Sequence, residues 1–166
     1  MATTNQLYIA GIGMITAVGA DTAMTAASVK AGVSGYGVSD YYDNNDEPIT
    51  MARIPNKIFD TINAEIGEGS RFNERHDRVT KIAIATVREA LTDAKTKKVI
   101  PLIIAMPDAE QDEEGLVPLI ESLETNCAPH IRKSHYHTMK TGRAAGIEAI
   151  GLAFTHLDNP QNDYIL

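Results

Sequence analysis

The sequence lacks several features that would assign it to a class of protein at once. It contains one cysteine, Cys127, in 166 residues, so no internal disulfide can form. No stretch approaches the roughly 18 consecutive apolar residues that a membrane-spanning helix needs, and the first six residues lack the basic start of a secretory signal. We therefore expect a cytoplasmic protein that does not insert into a membrane.

The sequence also contains fewer basic than acidic residues. There are 15 Lys and Arg against 22 Asp and Glu, which gives a net charge of -7 and a pI near 5.2. Nucleic-acid binding requires a basic face, so this balance argues against nucleic acid as the main partner. The densest run of charge, residues 108–114, is acidic, and we expect it in a solvated loop or a first helical turn.

The rest of the composition is that of an ordinary globular protein. Hydrophobic residues make up 43% of the chain and charged residues 22%. A chain of 166 residues is long enough to bury a core. We expect a single domain over residues 1–166.

Apolar patterning predicts alternating strands and helices. The clearest element is a helix over residues 77–94. Its apolar side chains recur at three- and four-residue spacing and form one stripe: Val79, Ile82, Ala83, Val87, Ala90, Leu91 and Ala94. Further helices are predicted at 21–30, 57–66, 116–123 and 144–157, and strands at 7–12, 49–54, 99–105, 131–139 and 164–166. Residues 32–47, rich in Gly, Ser, Asp and Asn, are predicted to form an irregular excursion. The alternation predicts a layered, mostly parallel α/β domain.

Four segments, in order, resemble the N-terminal half of the thiolase superfamily, especially the β-ketoacyl synthases. Residues 9–19 are similar to the family's opening strand and Gly-Met-Val-Thr-Pro-Leu-Gly loop, with Ala17 in place of the proline. Residues 31–35 look like its Ala-Gly-x-Ser-Gly, residues 77–94 like its Asp-Arg-Phe-Thr helix ending in Arg-Glu-Ala-Leu, and residues 141–154 like its active-site helix. The resemblance implies a thiolase-like half-domain.

The departures from this family concern its chemistry. Thr141, Gly142 and Gly146 stand as in the family, but Arg143 occupies the position of the nucleophilic cysteine. A guanidinium stays protonated and cannot attack an acyl thioester. The family's catalytic histidines, or His and Asn, belong to a second half outside this sequence, and its glycine-rich turn is replaced by Met106-Pro107-Asp108. We therefore expect no catalytic residue and no cofactor.

Two side chains at the start of this helix have alternative interpretations. Arg143 could contact an anion, such as a carboxylate or the phosphate of a carrier arm, but an ordinary salt bridge is the commoner role for such a residue. Thr141 is better interpreted as the N-cap of the helix than as a substitute nucleophile, because no base is placed beside it in the sequence.

The apolar composition of the predicted helix over residues 144–157 indicates that a partner covers it. Its first eleven residues contain one polar side chain, Glu148, and in the family the equivalent helix lies between two sheets, one from each half. A lone half would leave an apolar face in water, unless a loop such as residues 32–47 covers it. The candidate contact residues are Thr141, Arg143, Ile147, Ile150 and Phe154. Because the family dimerises through the preceding strand, the candidate dimer residues are Ile131, Lys133, His135 and His137.

Two weaker motifs carry no assignment. His130, His135 and His137 resemble part of a metal site, but a closed zinc site needs about four ligands, so solvated histidines are the commoner explanation and no metal is assigned. Gly11-x-Gly13 lacks the third glycine and the acidic residue of a dinucleotide site.

The first functional hypothesis is a non-catalytic thiolase-like protein that acts as a protein-binding adaptor or co-chaperone. Short thiolase-like proteins occur beside effector-loading genes of type VI secretion, so the resemblance implies effector loading as one role. The alternative is a fragment or non-catalytic subunit of a β-ketoacyl synthase, an acyltransferase of fatty-acid or polyketide synthesis. Such a subunit would bind acyl carrier protein or acyl-CoA, whereas the adaptor would bind a protein partner or a second copy of itself.

Overall fold

The structure, a computed structural model, describes residues 7–66, 74–106 and 113–166. These residues form a mixed α/β fold with two small sheets. The elements are α1 (Thr22–Lys30), β1 (Tyr36–Tyr42), β2 (Pro48–Ala52), α2 (Asn56–Ile66), α3 (Glu74–Ala94), β3 (Leu102–Ala105), α4 (Glu113–Asn126), β4 (Tyr136–Met139), a 3-10 turn (Gly142–Ala144) and α5 (Ala145–Leu157).

The chain divides into two compact units. The first contains the described parts of residues 1–67 together with 81–96, and the second those of 68–80 together with 97–166. Helix α3 contributes residues to both units, so each unit is built from segments that are distant in sequence.

Helix α1 of the first unit begins and ends where the sequence predicts. The carboxylate of Asp21 accepts a hydrogen bond from the backbone N–H of Met24 at 2.7 Å, which caps the helix. Gly32 follows the helix with a φ of +71°, a left-handed conformation that glycine adopts at little cost. The helix predicted over residues 21–30 is thus confirmed.

Residues 7–12 were expected to form a buried strand, and this is wrong. They form no strand, and Tyr8 and Ile9 are exposed. The segment lies instead against α3: a Cβ on Gly11 would be 2.0 Å from the carbonyl oxygen of Ala90, and one on Gly13 would be 1.8 Å from that of Thr86. Glycines permit this close approach to a helix, and the segment pairs with none of the four strands in the described residues.

One carboxylate attaches this segment further. The side chain of Glu89 in α3 accepts hydrogen bonds from the backbone N–H groups of Met14 at 2.9 Å and Thr22 at 2.8 Å. The Thr22 hydroxyl donates to the carbonyl oxygen of Ile12 at 3.3 Å. The loop before α1 is therefore held on α3 mainly by polar contacts to its backbone.

The expected excursion over residues 32–47 contains a strand, which corrects the prediction. β1 pairs with β2 in an antiparallel hairpin, with Tyr36 opposite Ala52 and Val38 opposite Thr50. The register shifts between Val38 and Tyr42, where the Ser39 hydroxyl donates to the carbonyl oxygen of Ile49 at 2.7 Å. Strand β2 coincides with most of the strand predicted at residues 49–54.

The second unit contains the parallel pair of strands. β3 and β4 run parallel, from Leu102 opposite Tyr136 to Ala105 opposite Met139. On the other side of β3, the Leu166 N–H donates to the carbonyl oxygen of Pro101 at 3.0 Å and the Ile103 N–H donates to that of Leu166 at 2.7 Å. Helix α5 packs on both strands. The parallel pairing is as expected, but the sheet is much smaller than a layered, mostly parallel domain requires.

The strand predicted over residues 131–139 is shorter than expected. It begins at Tyr136, and residues 133–135 form a turn before it. Ile131 is buried in the core of this unit rather than on a strand edge. The other buried apolar side chains of the unit are Ile100, Leu102, Leu116, Ile120, Leu123, Cys127 and Ala145.

No helix within the described ranges is long and apolar enough to cross a bilayer. The acidic run at residues 108–114 falls largely outside those ranges, as does the Pro107-Asp108 dipeptide.

Candidate functional site

The carboxyl edge of the parallel strands leads directly into α5. β4 ends at Met139, and after Lys140 the chain turns through Thr141 and Gly142 into the 3-10 turn. Gly142 has a φ of +61°, a left-handed conformation that glycine adopts at little cost. In parallel sheets, ligands bind in the crevice beyond the carboxyl ends of the strands. This edge is therefore the candidate site.

An open depression lies at this edge, with a volume of about 560 Å³. Met106, which follows β3, forms one side, while Arg143 and Gly146 at the beginning of α5 form the other. The first N–H groups of a helix have no partner within the helix and carry partial positive charge. The depression therefore favours an anion over a cation.

Arg143 is exposed at this depression. The salt bridge expected for it is not formed with any carboxylate in the part of the chain that the structure describes. Its guanidinium has no lone pair for attack on a thioester, so it provides positive charge and hydrogen-bond donors but not a nucleophile.

Thr141 was expected to be the N-cap of the helix, but the N-cap of α5 is Ala144. Thr141 occupies the N-cap position of the 3-10 turn, and its side chain does not cap the backbone. Its hydroxyl donates instead to the Glu148 carboxylate, with 2.5 Å between the two oxygens. This pair was not predicted from the sequence, because the carboxylate lies seven residues beyond Thr141, across the start of the helix, and not next to it. The contact holds the hydroxyl in one position. The Glu148 carboxylate lies in the first turn of α5, where the helix dipole stabilises its negative charge.

The predicted contact residues of α5 lie together on one exposed face. Ile147 is 77% exposed, Ile150 60% and Phe154 54%. They follow one another at spacings of three and four residues, and we call these three side chains the α5 surface. The opposite face, which includes the buried Ala145, packs on β3 and β4. An exposed apolar patch of this kind is a typical sign of an interaction site.

The candidate dimer residues are not brought together on one strand. Of the four, only His137 lies within β4, and Ile131 is buried. Lys133 contacts α4: its ammonium lies 3.7 Å from Glu121, and its backbone N–H donates to Glu124 at 3.4 Å. Within the described ranges β4 pairs with β3 alone.

The three histidines considered as metal ligands have separate surroundings. His130 Nδ1 lies 3.1 Å from the carbonyl oxygen of Lys98, and His135 Nδ1 lies 2.8 Å from the Ser134 hydroxyl. The ring of His137 packs against that of His156, with 4.6 Å between their centroids. Over the described ranges, no group of three or more His, Cys, Asp and Glu side chains is arranged to hold a metal ion.

The second unit also contains a smaller cavity, of about 140 Å³, that was not predicted from the sequence. Its lining is mostly apolar and comes from the first turns of α3, the end of β3 and the first half of α4. Both ring nitrogens of His76 are buried there, and a Cβ on Gly115 would lie 2.3 Å from that ring. No sequence signal connects His76 with Gly115, because they lie on different helices.

Comparison with known proteins adds no relative. No protein-family model, curated protein or solved structure matches the chain significantly.

Proposed function

We propose that this chain is a non-catalytic, thiolase-like half-domain that binds another protein through the α5 surface. The observation that carries the proposal is the exposure of Ile147, Ile150 and Phe154 on a helix that directly follows a parallel strand. Burial of apolar area is worth roughly 25 cal/mol per Å², so a partner that covers these side chains gains free energy.

The character of the site supports binding without turnover. Arg143 stands where the resembled enzymes have their nucleophile, and Cys127, the one cysteine of the chain, is buried in the core of the second unit. The adaptor therefore holds its partner and leaves it chemically unchanged. An adaptor for secretion effectors, including those of type VI secretion, is one form of this function.

The partner is expected to present an apolar face rather than a charged one. The α5 surface has no charged side chain among its three members, and Arg143 lies near its beginning. A partner with an apolar patch beside a carboxylate would match both the patch and the guanidinium.

The test is a pull-down from native lysate with the purified chain as bait, in which the parent is compared with an Ile147→Ser/Phe154→Ser double variant. Tyr8→Ser is the matched control, because it removes another exposed apolar side chain. The proposal predicts a stoichiometric protein that is retained by the parent and the control and lost with the double variant. Retention by all three chains would contradict it.

Self-association is a separate outcome of the same design. Sedimentation velocity on the purified chain distinguishes a monomer from a homodimer without any lysate. A homodimer that the double variant dissociates would identify the partner as a second copy of the chain.

The alternative function is a non-catalytic subunit of an acyl-condensing synthase. The depression beside Arg143 favours it, because an open site of about 560 Å³ at a helix beginning suits the phosphate or carboxylate of a carrier arm. Titration with acyl-CoA and with acyl carrier protein tests this function. Binding that is lost in Arg143→Ala and retained in Ile147→Ser/Phe154→Ser would favour the subunit over the adaptor.

A further inference from the structure

The β1–β2 hairpin carries a second exposed apolar face, in the other unit. Residues opposite one another in an antiparallel pair share a face, and alternate residues along a strand return to it. The register therefore places Tyr36, Val38 and Tyr42 on one face with their partners Ala52, Thr50 and Pro48. We call these six residues the hairpin face. Tyr36 is 71% exposed, Val38 76% and Tyr42 62%, so the face is open to solvent.

The hairpin face is held in shape by contacts within the hairpin. The Asp43 carboxylate accepts hydrogen bonds from the N–H groups of Asn45 at 2.8 Å and Glu47 at 3.0 Å, which closes the turn. Ser39 donates to the Ile49 carbonyl oxygen and accepts from the Tyr41 N–H, which fixes the irregular part of β1. A surface that is already ordered loses little conformational entropy when it binds.

The charge of the hairpin specifies what kind of partner fits. Residues 36–53 contain four acidic side chains, Asp40, Asp43, Asp46 and Glu47, and one basic side chain, Arg53, so the local net charge is four negative minus one positive, or -3. All four acidic residues are exposed. A second copy would bring the same negative charge against the first, and nucleic acid or an anionic membrane would be repelled in the same way.

A contact elsewhere on the hairpin, outside the hairpin face, shows an arginine beside a tyrosine ring. The guanidinium carbon of Arg53 lies 5.3 Å from the ring centroid of Tyr41, within the range of a cation–π interaction. Arginine stacks on aromatic rings and pairs with carboxylates through two parallel hydrogen bonds, whereas lysine offers a single point charge. An aromatic face beside carboxylates therefore favours arginine over lysine.

We propose that the hairpin face binds a segment of another protein in which apolar residues are followed by arginines. The apolar side chains pack on Tyr36, Val38 and Tyr42, and the guanidinium groups reach the carboxylates around the turn. This surface is separate from the α5 surface, and the proposal does not depend on the adaptor function.

The test is a fluorescence anisotropy titration of the full chain with a labelled peptide in which leucines are followed by arginines. Peptides of equal length with lysine or glutamate in place of arginine serve as references. We expect the arginine peptide to bind tightest and the glutamate peptide weakest. Tyr36→Ser/Tyr42→Ser should weaken binding about tenfold or more, as truncation of central interface aromatics does. Tyr8→Ser, another exposed tyrosine of the same unit, should leave binding unchanged.

A second variant separates charge from apolar contact. Asp46→Asn/Glu47→Gln should flatten the dependence of binding on salt, because two carboxylates no longer attract the peptide. Asp43 is left intact, because its carboxylate holds the turn. Equal binding of the arginine and glutamate peptides would overturn the proposal, and so would unchanged binding by Tyr36→Ser/Tyr42→Ser. A homodimer that this same variant dissociates would assign the hairpin face to a second copy and also overturn it.

Discussion

The two small sheets of this protein are held in place by different interactions. β3 is a continuous apolar run, Leu102-Ile103-Ile104-Ala105, and its partner β4 lies with it under α5. β1 mixes Tyr and Val with Gly, Ser and Asp, and its residues are almost all exposed. Parallel pairs are stable when both faces are covered, whereas an isolated hairpin in water is marginal and depends on its turn and cross-strand contacts. Burial therefore stabilises the parallel pair, and local hydrogen bonds stabilise the hairpin.

The largest expected difference comes from matched truncations in the two sheets. Leu102→Ala removes a side chain that is 5% exposed and should lower the free energy of unfolding by about 2–5 kcal/mol. Val38→Ala removes an exposed one from β1 and should change it by no more than about 0.5 kcal/mol. Urea denaturation of both variants measures the contrast. Similar losses would show that the hairpin is packed as tightly as the parallel pair.

Two glycines test how far tight packing extends around the parallel pair. Gly115→Ala would place a Cβ 2.3 Å from the His76 ring and should cost about 1–3 kcal/mol, because that ring must move. Gly151→Ala in the middle of α5 meets nothing within 4 Å and should add about 0.5–1 kcal/mol of stability. Thermal unfolding distinguishes the two, and a stabilising Gly115→Ala would mean that the cavity beside His76 accommodates the methyl group.

Within the hairpin, one hydroxyl should have a moderate effect. Ser39→Ala removes the hydrogen bond to the Ile49 carbonyl oxygen and should destabilise the hairpin by about 0.5–1.5 kcal/mol. Amide hydrogen exchange across β1 and β2 measures the local loss while the rest of the chain is the internal reference. Unchanged protection in the hairpin would show that the turn alone holds the two strands together.

The smallest effect is a dependence on acidic pH confined to the turn. The backbone N–H groups of Glu47 and Asn45 hold the pKa of the Asp43 carboxyl below its ordinary value of 3.8. Because the pKa is lower in the folded state than in the unfolded state, this stabilisation is complete above the ordinary value and is lost as the pH falls through the folded one. An NMR titration of the Asn45 and Glu47 amide shifts follows it. Asp43→Asn should remove the transition, and a transition that persists would assign it to another carboxyl.

The sequence predicted the helices well, because their signals are local. Residues 77–94 show a repeated apolar spacing, and Asp21 and Gly32 mark the ends of α1, so these elements need no knowledge of distant residues. The strands were harder to predict, because a strand exists only if another segment pairs with it. Residues 7–12 have the composition of a strand but lie along a helix, and β1 lies in a segment rich in turn-forming residues.

The candidate site likewise has some features that could be predicted from the sequence and others that could not. The position of Arg143 at the beginning of a helix was implied by the family resemblance, and the apolar character of α5 could be predicted from its residues. The Thr141–Glu148 hydrogen bond and the cavity beside His76 could not, because both depend on how the turn and two separate helices are placed. The thiolase-like assignment itself stays a prediction.

The attachment of residues 7–15 to α3 predicts where a protease first cleaves the chain. In place of a sheet ladder, the contacts of this segment include the Glu89 carboxylate, one hydroxyl bond and two close glycine contacts. A segment outside any sheet, with Tyr8 and Ile9 exposed, opens by local fluctuation, so a protease reaches it without waiting for the whole chain to unfold. Limited proteolysis should therefore begin there, and Glu89→Ala should speed that first cut while leaving later cuts at their original rate.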